Sequence, residues 1–322
     1  MTAKMTHSEY QLDLLGAPYQ RLEFSHPNDY EGPVISTIIR RKAKKTTNKA
    51  ILYVHGFCDY FFQTEMAEQF NTHGFDFYAL DLRKYGRSHL SHQKLYNVRE
   101  LCEYSADLDA AIELIETEQH DMIILCGHST GGLITTLYAA QHPKHKSLKA
   151  LWLNSPFYDF NMRDIEKKIA LPRLSQLAKK FPDLLFPSRL NKFYVPSLHQ
   201  FYHGEWLFNL EWKKPKMPLV RLSFIRAIHL AQQTLHQGIT LDIPTLIMHS
   251  HQTRYPLRFN KAAQSSDVIL NIEDMQKWGH TIQGDVAFYK VHDALHDVVL
   301  SKHPVRKDVY QKLFDWLSSK GL

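Results

Sequence analysis

The 322-residue sequence holds only three cysteines, Cys58, Cys102 and Cys126, spaced for neither a disulfide framework nor a metal site. Each lies in or beside an apolar segment, so all three read as reduced packing residues. No apolar run reaches the roughly 20 residues that crossing a bilayer requires. Met1 to Tyr10 is polar and lacks the apolar centre of a secretory signal. These absences set the expectation of a cytoplasmic protein. No internal repeat and no low-complexity tract interrupts the chain. The formal charge is +6, but no basic motif interleaved with aromatics accompanies it, so nucleic acid is not an expected partner. The positive charge is local. Residues 156–238 hold thirteen Lys/Arg against six Asp/Glu, and the remainder is nearly neutral.

A hydrophobic content of 44% is enough for one large α/β domain with an insertion. The chain is organised around Met122-Ile123-Ile124-Leu125-Cys126-Gly127-His128-Ser129-Thr130-Gly131-Gly132. An apolar run of strand length enters Gly-x-Ser-x-Gly, and Leu133 to Gln141 continues with helical spacing. That is the setting of a nucleophile elbow, a sharp strand-to-helix turn that lifts a serine hydroxyl clear of the sheet. The helix behind it aims backbone N–H groups at any oxyanion formed there.

Strand and helix patterns alternate on either side. Arg21–Phe24 and Val34–Arg41 read as an antiparallel pair, and Ala50–Val54 as a buried strand running into His55-Gly56-Phe57. Phe61–Thr72 reads as a helix, Phe75–Leu82 as a strand, Val98–Glu118 as a long helix and Lys149–Asn154 as another strand. After a break the rhythm resumes with Ile243–Met248, a mostly helical Val268–Trp278, the strand Val286–Val291 and a closing helix Val305–Ser318. This alternation predicts a mostly parallel sheet with helices on both faces. Residues 157–238 carry six prolines, many aromatics and no evident strand of the sheet. The expected organisation is a leader of little structure at 1–18, a core at 19–156 and 239–322, and a helical cap inserted at 157–238.

A serine nucleophile needs a histidine base, and the base needs a carboxylate to fix its tautomer. After an elbow of this kind the order is serine, acid, histidine. The acid should follow Ile243–Met248, yet Ser250-His251-Gln252-Thr253 contains no carboxylate. The first one is Asp267, which becomes the candidate on the premise of a long loop; Glu273 and Asp274 are alternatives inside a helical pattern. Among 20 histidines, His296 is selected by its place beyond the last strand, ahead of His292 at the strand end and His280 before it. The backbone N–H groups of Phe57 and Thr130 are the candidate oxyanion donors. Cys58 reads as packing, and Asp59, Arg83 and Arg87 as ion-pairing residues near the site.

His55-Gly56-Phe57, Asp81-Leu82-Arg83-Lys84-Tyr85-Gly86-Arg87-Ser88, Gly127-His128-Ser129-Thr130-Gly131-Gly132 and His296-Asp297 together resemble the α/β-hydrolase superfamily. The likeness is to its lysophospholipase, monoacylglycerol lipase and serine-aminopeptidase-like group, and it covers nearly all of the chain outside 157–238. It implies an eight-stranded α/β-hydrolase sheet and a catalytic set of Ser129, Asp267 and His296. In that group the acid ends a short turn at the position that Thr253 occupies here. The implied activity is hydrolysis of carboxylic esters through an acyl-enzyme: small acyl esters, monoacylglycerol or lysophospholipid. A peptidase or amidase of the same fold stays open, as does a non-catalytic binding protein on that scaffold. No metal or organic cofactor is implied. The partner is a small acyl ester or lipid, the basic 157–238 stretch suits transient contact with a membrane surface, and nothing in the sequence sets an oligomeric state.

Overall fold

The computed structural model describes residues 4–5, 9–188, 191–216 and 218–322. Eight strands of six residues or more make the main sheet: β1 (Gln20–Asp29), β2 (Gly32–Arg41), β3 (Lys49–Val54), β4 (Asp76–Asp81), β5 (Met122–His128), β6 (Leu148–Asn154), β7 (Thr245–Ser250) and β8 (Val286–Val291). Their order is β1-β2-β4-β3-β5-β6-β7-β8. β1, β2 and β4 pair antiparallel. All pairs from β4 through β3 to β8 are parallel.

The residue patterns explain the layering. β1 alternates buried and half-buried positions, as a strand with one wet face does. β4, β5 and β7 are almost wholly buried because helices cover both of their faces. Successive side chains of β3 enter opposite cores. Ala50, Leu52 and Val54 join one cluster, and Ile51 and Tyr53 the other. Helices α1 (Thr64–Thr72) and α8 (His303–Ser319) pack on the second cluster through Phe70 and Phe314. Helices α2 (Ser105–Thr117) and α3 (Thr130–Gln141) pack on the first through Leu108 and Leu133.

Several elements differ from expectation. Residues 1–18 add structure: Lys4–Met5 and Gln11–Leu12 pair with β1, making a ten-stranded sheet. Asp13 is buried and grips Arg87 by two hydrogen bonds of 2.7 and 2.8 Å. Residues 1–3 and 6–8 of that stretch lie outside the described residues. Helix α1 starts at Thr64, not Phe61, because the Phe61 N–H is drawn to Asp81 Oδ1 at 2.8 Å. The expected long helix from Val98 becomes a 3₁₀ turn at Leu101–Tyr104 followed by α2.

Between β6 and β7 lie α4 (Leu171–Lys180), α5 (Tyr194–Leu198) and α6 (Leu222–His236). Leu185–Phe186 and Val220–Arg221 form a separate two-stranded sheet there. Residues 189, 190 and 217 of this segment lie outside the described residues. α7 (Ile272–Gly279) follows β7. Among the described residues, no helix is long and apolar enough to cross a membrane.

Candidate active site

The turn after β5 is held by close backbone approach. Ser129 adopts φ 53° and ψ −116°, a left-handed conformation that costs a non-glycine residue strain. A Cβ on Gly131 would collide with the carbonyl oxygens of Val54 and His55. One on Gly127 would collide with Thr135 Oγ1 and the Gly131 carbonyl. Glycine at both positions lets α3 abut the ends of β3 and β5. The Asn154 carbonyl, ending β6, accepts the Ser129 N–H at 2.9 Å and fixes the turn from the next strand.

Ser129, His296 and Asp267 come together in one hydrogen-bonded chain. His296 Nε2 lies 3.0 Å from Ser129 Oγ, and His296 Nδ1 lies 2.7 Å from Asp267 Oδ2. Asp267 can only accept there, so Nδ1 carries the proton and Nε2 presents its lone pair to the serine hydroxyl. Asp267 is wholly buried. Its other oxygen accepts the N–H groups of Ile269 and Leu270, both at 2.8 Å.

The carboxylate reaches this place by a detour. Thr253 and Asp267 face one another as a parallel bridge, with Asp267 N–H donating to Gln252 O and Arg254 N–H donating to Asp267 O. Thr253 Oγ1 donates to Leu270 O at 3.1 Å and accepts the Ile272 N–H at 3.0 Å. Thr253 thus braces the turn that displays Asp267. Helix α7 begins at Ile272, where Val268 was expected, and Asn271 Oδ1 caps it by accepting the Glu273 N–H at 3.0 Å.

The alternatives are not part of this chain. Glu273 is exposed, and Asp274 pairs with Lys167 at 2.7 Å. His292 is exposed and stacks on His251, while His280 stacks on Phe288 at the end of α7.

Phe57 and Thr130 both line the cavity above Ser129, and among the described residues no acceptor is bonded to either N–H. His55 sets the orientation of the Phe57 N–H. Its Nε2 accepts the Leu82 N–H at 3.1 Å, which leaves the proton on Nδ1 to donate to the Gly56 carbonyl at 2.8 Å. In a trans peptide the next N–H points opposite to that carbonyl. Gly56 lies against Ser129: a Cβ there would stand 3.1 Å from Ser129 Cβ.

Sequence reasoning missed a supporting layer. Asp297 accepts Asn154 Nδ2 at 2.7 Å and Gln63 Nε2 at 3.3 Å, which anchors the residue after His296. His128 donates from Nδ1 to Asn154 O, and burial pushes its pKa down, so it stays neutral beside His296. No sequence pattern marks these partners. The ion pairs also differ from expectation: Arg87 binds Asp13 and Asp81, Arg83 binds Asp107, and Asp59 binds Lys213. Cys58 is buried, and that burial raises its thiol pKa. Apolar side chains make up most of the cavity wall, with Phe160, Leu171, Leu174, Phe186, Val220 and Ile225 from the 157–238 segment facing Ser129, Ile269 and Leu270 from the sheet side, and Asp59 and Lys213 add a charged pair to it.

Order of strands and position of the serine turn define an α/β hydrolase. Residues 45–256 match the family described as serine aminopeptidase, S33, and the chain belongs to that family. It is 26% identical over 271 residues to the AB hydrolase superfamily protein YisY of Bacillus subtilis, an alignment covering 78% of this chain and 90% of that protein. Its fold is similar to a soluble variant of monoglyceride lipase from Saccharomyces cerevisiae (TM-score 0.66, 16% identity, 99% of this chain and 97% of that one). It is also similar to monoacylglycerol lipase of Paleococcus ferrophilus (TM-score 0.64, 15% identity, 88% and 99%).

Proposed function

We propose that the protein is a serine hydrolase of carboxylic esters, with Ser129 as nucleophile, His296 as general base and Asp267 as its acid. The observation that carries this reading is the unbroken hydrogen-bonded chain from Asp267 through His296 to Ser129 beneath an apolar cavity. His296 Nε2 takes the Ser129 proton as Oγ attacks the ester carbonyl. The N–H groups of Phe57 and Thr130 receive the oxyanion, and His296 then returns the proton to the departing alcohol. Water, activated by the same histidine, releases the acid. Every proton is carried by a side chain of the chain itself.

Residues 157–238 serve as the cap, and the apolar wall they supply favours an aliphatic acyl group. Small acyl esters, monoacylglycerol and lysophospholipid fit that description. The names of the lipase neighbours support the ester class, while the family description keeps an amidase in view. The test is labelling by a fluorophosphonate on wild type and Ser129→Ala, then turnover of p-nitrophenyl esters of rising chain length beside aminoacyl p-nitroanilides. Labelling that vanishes with Ser129→Ala, and ester turnover well above anilide turnover, is the expected result. A folded wild type that neither labels nor turns over would leave the binding-protein reading standing.

The outer face of the cap supports contact with an anionic lipid surface. Ile165, Ile169, Leu177, Phe181, Leu184 and Leu185 are exposed there, beside exposed Lys168, Arg173, Lys179 and Lys180. Sedimentation with phosphatidylglycerol vesicles should fall several-fold in Leu177→Asp/Phe181→Asp, and equal sedimentation would remove the lipid contact from this account. Three unpaired cysteines support residence in the reducing cytoplasm.

A further inference from the structure

One stretch of the cap, Asn209 to Lys214, meets one stretch of the core, Cys58 to Tyr60, directly after Phe57. The Asn209 N–H donates to the Tyr60 hydroxyl at 2.6 Å. The Trp212 ring meets Tyr60 edge-on at 5.0 Å. Tyr96 bridges the two stretches, its hydroxyl 3.3 Å from Cys58 Sγ and 3.4 Å from the Trp212 carbonyl. Lys213 Nζ lies 2.8 Å from Asp59 Oδ1, and the two side chains are 3% and 2% exposed. The ammonium also sits over the rings of Phe62 and Tyr194. Both Asp59 and Lys213 line the cavity.

The core stretch needs such support. Cys58 adopts φ 52°, a left-handed conformation that persists only where its surroundings hold it. His55 holds the peptide on the N-terminal side of Phe57. On the other side the backbone of Asp59 and Tyr60 is tied by local bonds, the Tyr60 N–H to Asp59 Oδ1 at 2.9 Å, and by the cap. Apolar contact alone would tolerate sliding. A buried ion pair does not, because separating its members leaves each charge desolvated and unpaired.

We propose that Lys213, acting through Asp59, is a positioning residue that sets the Phe57 N–H for the oxyanion, so that the hole is complete only with this part of the cap seated. The inference rests on the hydrolase reading. Asp59 and Lys213 touch no reacting atom. Their effect passes through the backbone of Phe57–Asp59 and falls on the transition state, where the oxyanion exists, and not on the bound ester.

The experiment compares wild type, Lys213→Met, Lys213→Arg and Asp59→Asn/Lys213→Met, each checked for folding by circular dichroism. Readouts are kcat and KM for p-nitrophenyl butyrate, the affinity of a trifluoromethyl ketone that forms a tetrahedral adduct on Ser129, and amide hydrogen exchange in the peptide spanning 55–60. Lys213→Met should lower kcat by about 10–100-fold, less than complete loss of a donor causes. KM should stay within twofold, ketone affinity should fall in parallel with kcat/KM, and exchange in 55–60 should rise. Lys213→Arg should recover most of kcat. The double variant, which leaves no unpaired charge and stands in if Lys213→Met does not fold, should remain slow. Recovery of the double variant to wild-type kcat would overturn the proposal, since the defect would then be a stranded charge. An effect on KM alone would overturn it in favour of a substrate contact. A wild type that fluorophosphonate does not label would sink the hydrolase reading and this inference together; a labelled wild type beside a Lys213→Met of unchanged kcat would sink this inference alone.

Discussion

Two loops at the carboxyl ends of parallel strands bring Ser129 and Asp267 to His296, and they are held in opposite ways. The turn after β5 is short and fixed by backbone sterics, with Gly127 and Gly131 in places no Cβ can occupy. The loop after β7 runs from His251 to Asp267 and is fixed by side chains: Thr253 braces the 270–272 backbone, and Asp267 binds two N–H groups of its own turn. A turn built on sterics tolerates almost no change in sequence and so announces itself. A loop built on hydrogen bonds can lengthen and hand the carboxylate to a neighbouring position, because closure entropy grows slowly with length.

The widest gap between the two loops should appear in activity. Asp267→Asn keeps the shape of the side chain but removes the obligate acceptor for His296 Nδ1–H. Turnover of a p-nitrophenyl ester should drop by about 10⁴-fold with the fold retained, as expected for a wrong-tautomer histidine. A drop of less than tenfold would reject Asp267 as the acid. Stability should divide the loops the other way. Gly131→Ala forces a methyl into the carbonyls ending β3 and should cost about 1–3 kcal/mol, read as a lowered Tm. A Gly-Ser insertion after Leu257, a side chain 92% exposed, should cost about 0.6 kcal/mol or less. Equal losses from the two changes would erase the contrast.

The same contrast explains what could be read from the sequence. The eight long strands, the parallel run of six of them and the serine turn follow from apolar runs and glycines, which act locally. His296 is found from its place beyond the last strand, a matter of topology. Asp267 emerges by elimination, because Thr253 stands where a carboxylate was looked for, and nothing in the letters Ser250 to Ser266 reveals that the loop folds back beside it. The grip of Asp13 on Arg87 joins residues with no pattern between them, and so does that of Lys213 on Asp59. The strands of the N-terminal stretch are two residues each, too short for any periodicity to register.

Thr253 gives the finest test of the comparison. Replacing it by valine preserves volume while removing one donor and one acceptor, leaving the Leu270 carbonyl and the Ile272 N–H without their partner. Thr253 is only half-buried, so water can satisfy part of that deficit, and the stability cost should be about 1 kcal/mol. The turn carrying Asp267 then loses its outer brace while keeping the inner one, the two N–H groups on Asp267 Oδ1. Turnover should fall about tenfold, far less than in Asp267→Asn, and Thr253→Ser should restore it because the hydroxyl returns. If Thr253→Val lowered Tm with turnover intact, Asp267 would be aimed by its own turn alone. The loop would then resemble the serine turn in being fixed from within, and the two modes of support would collapse into one.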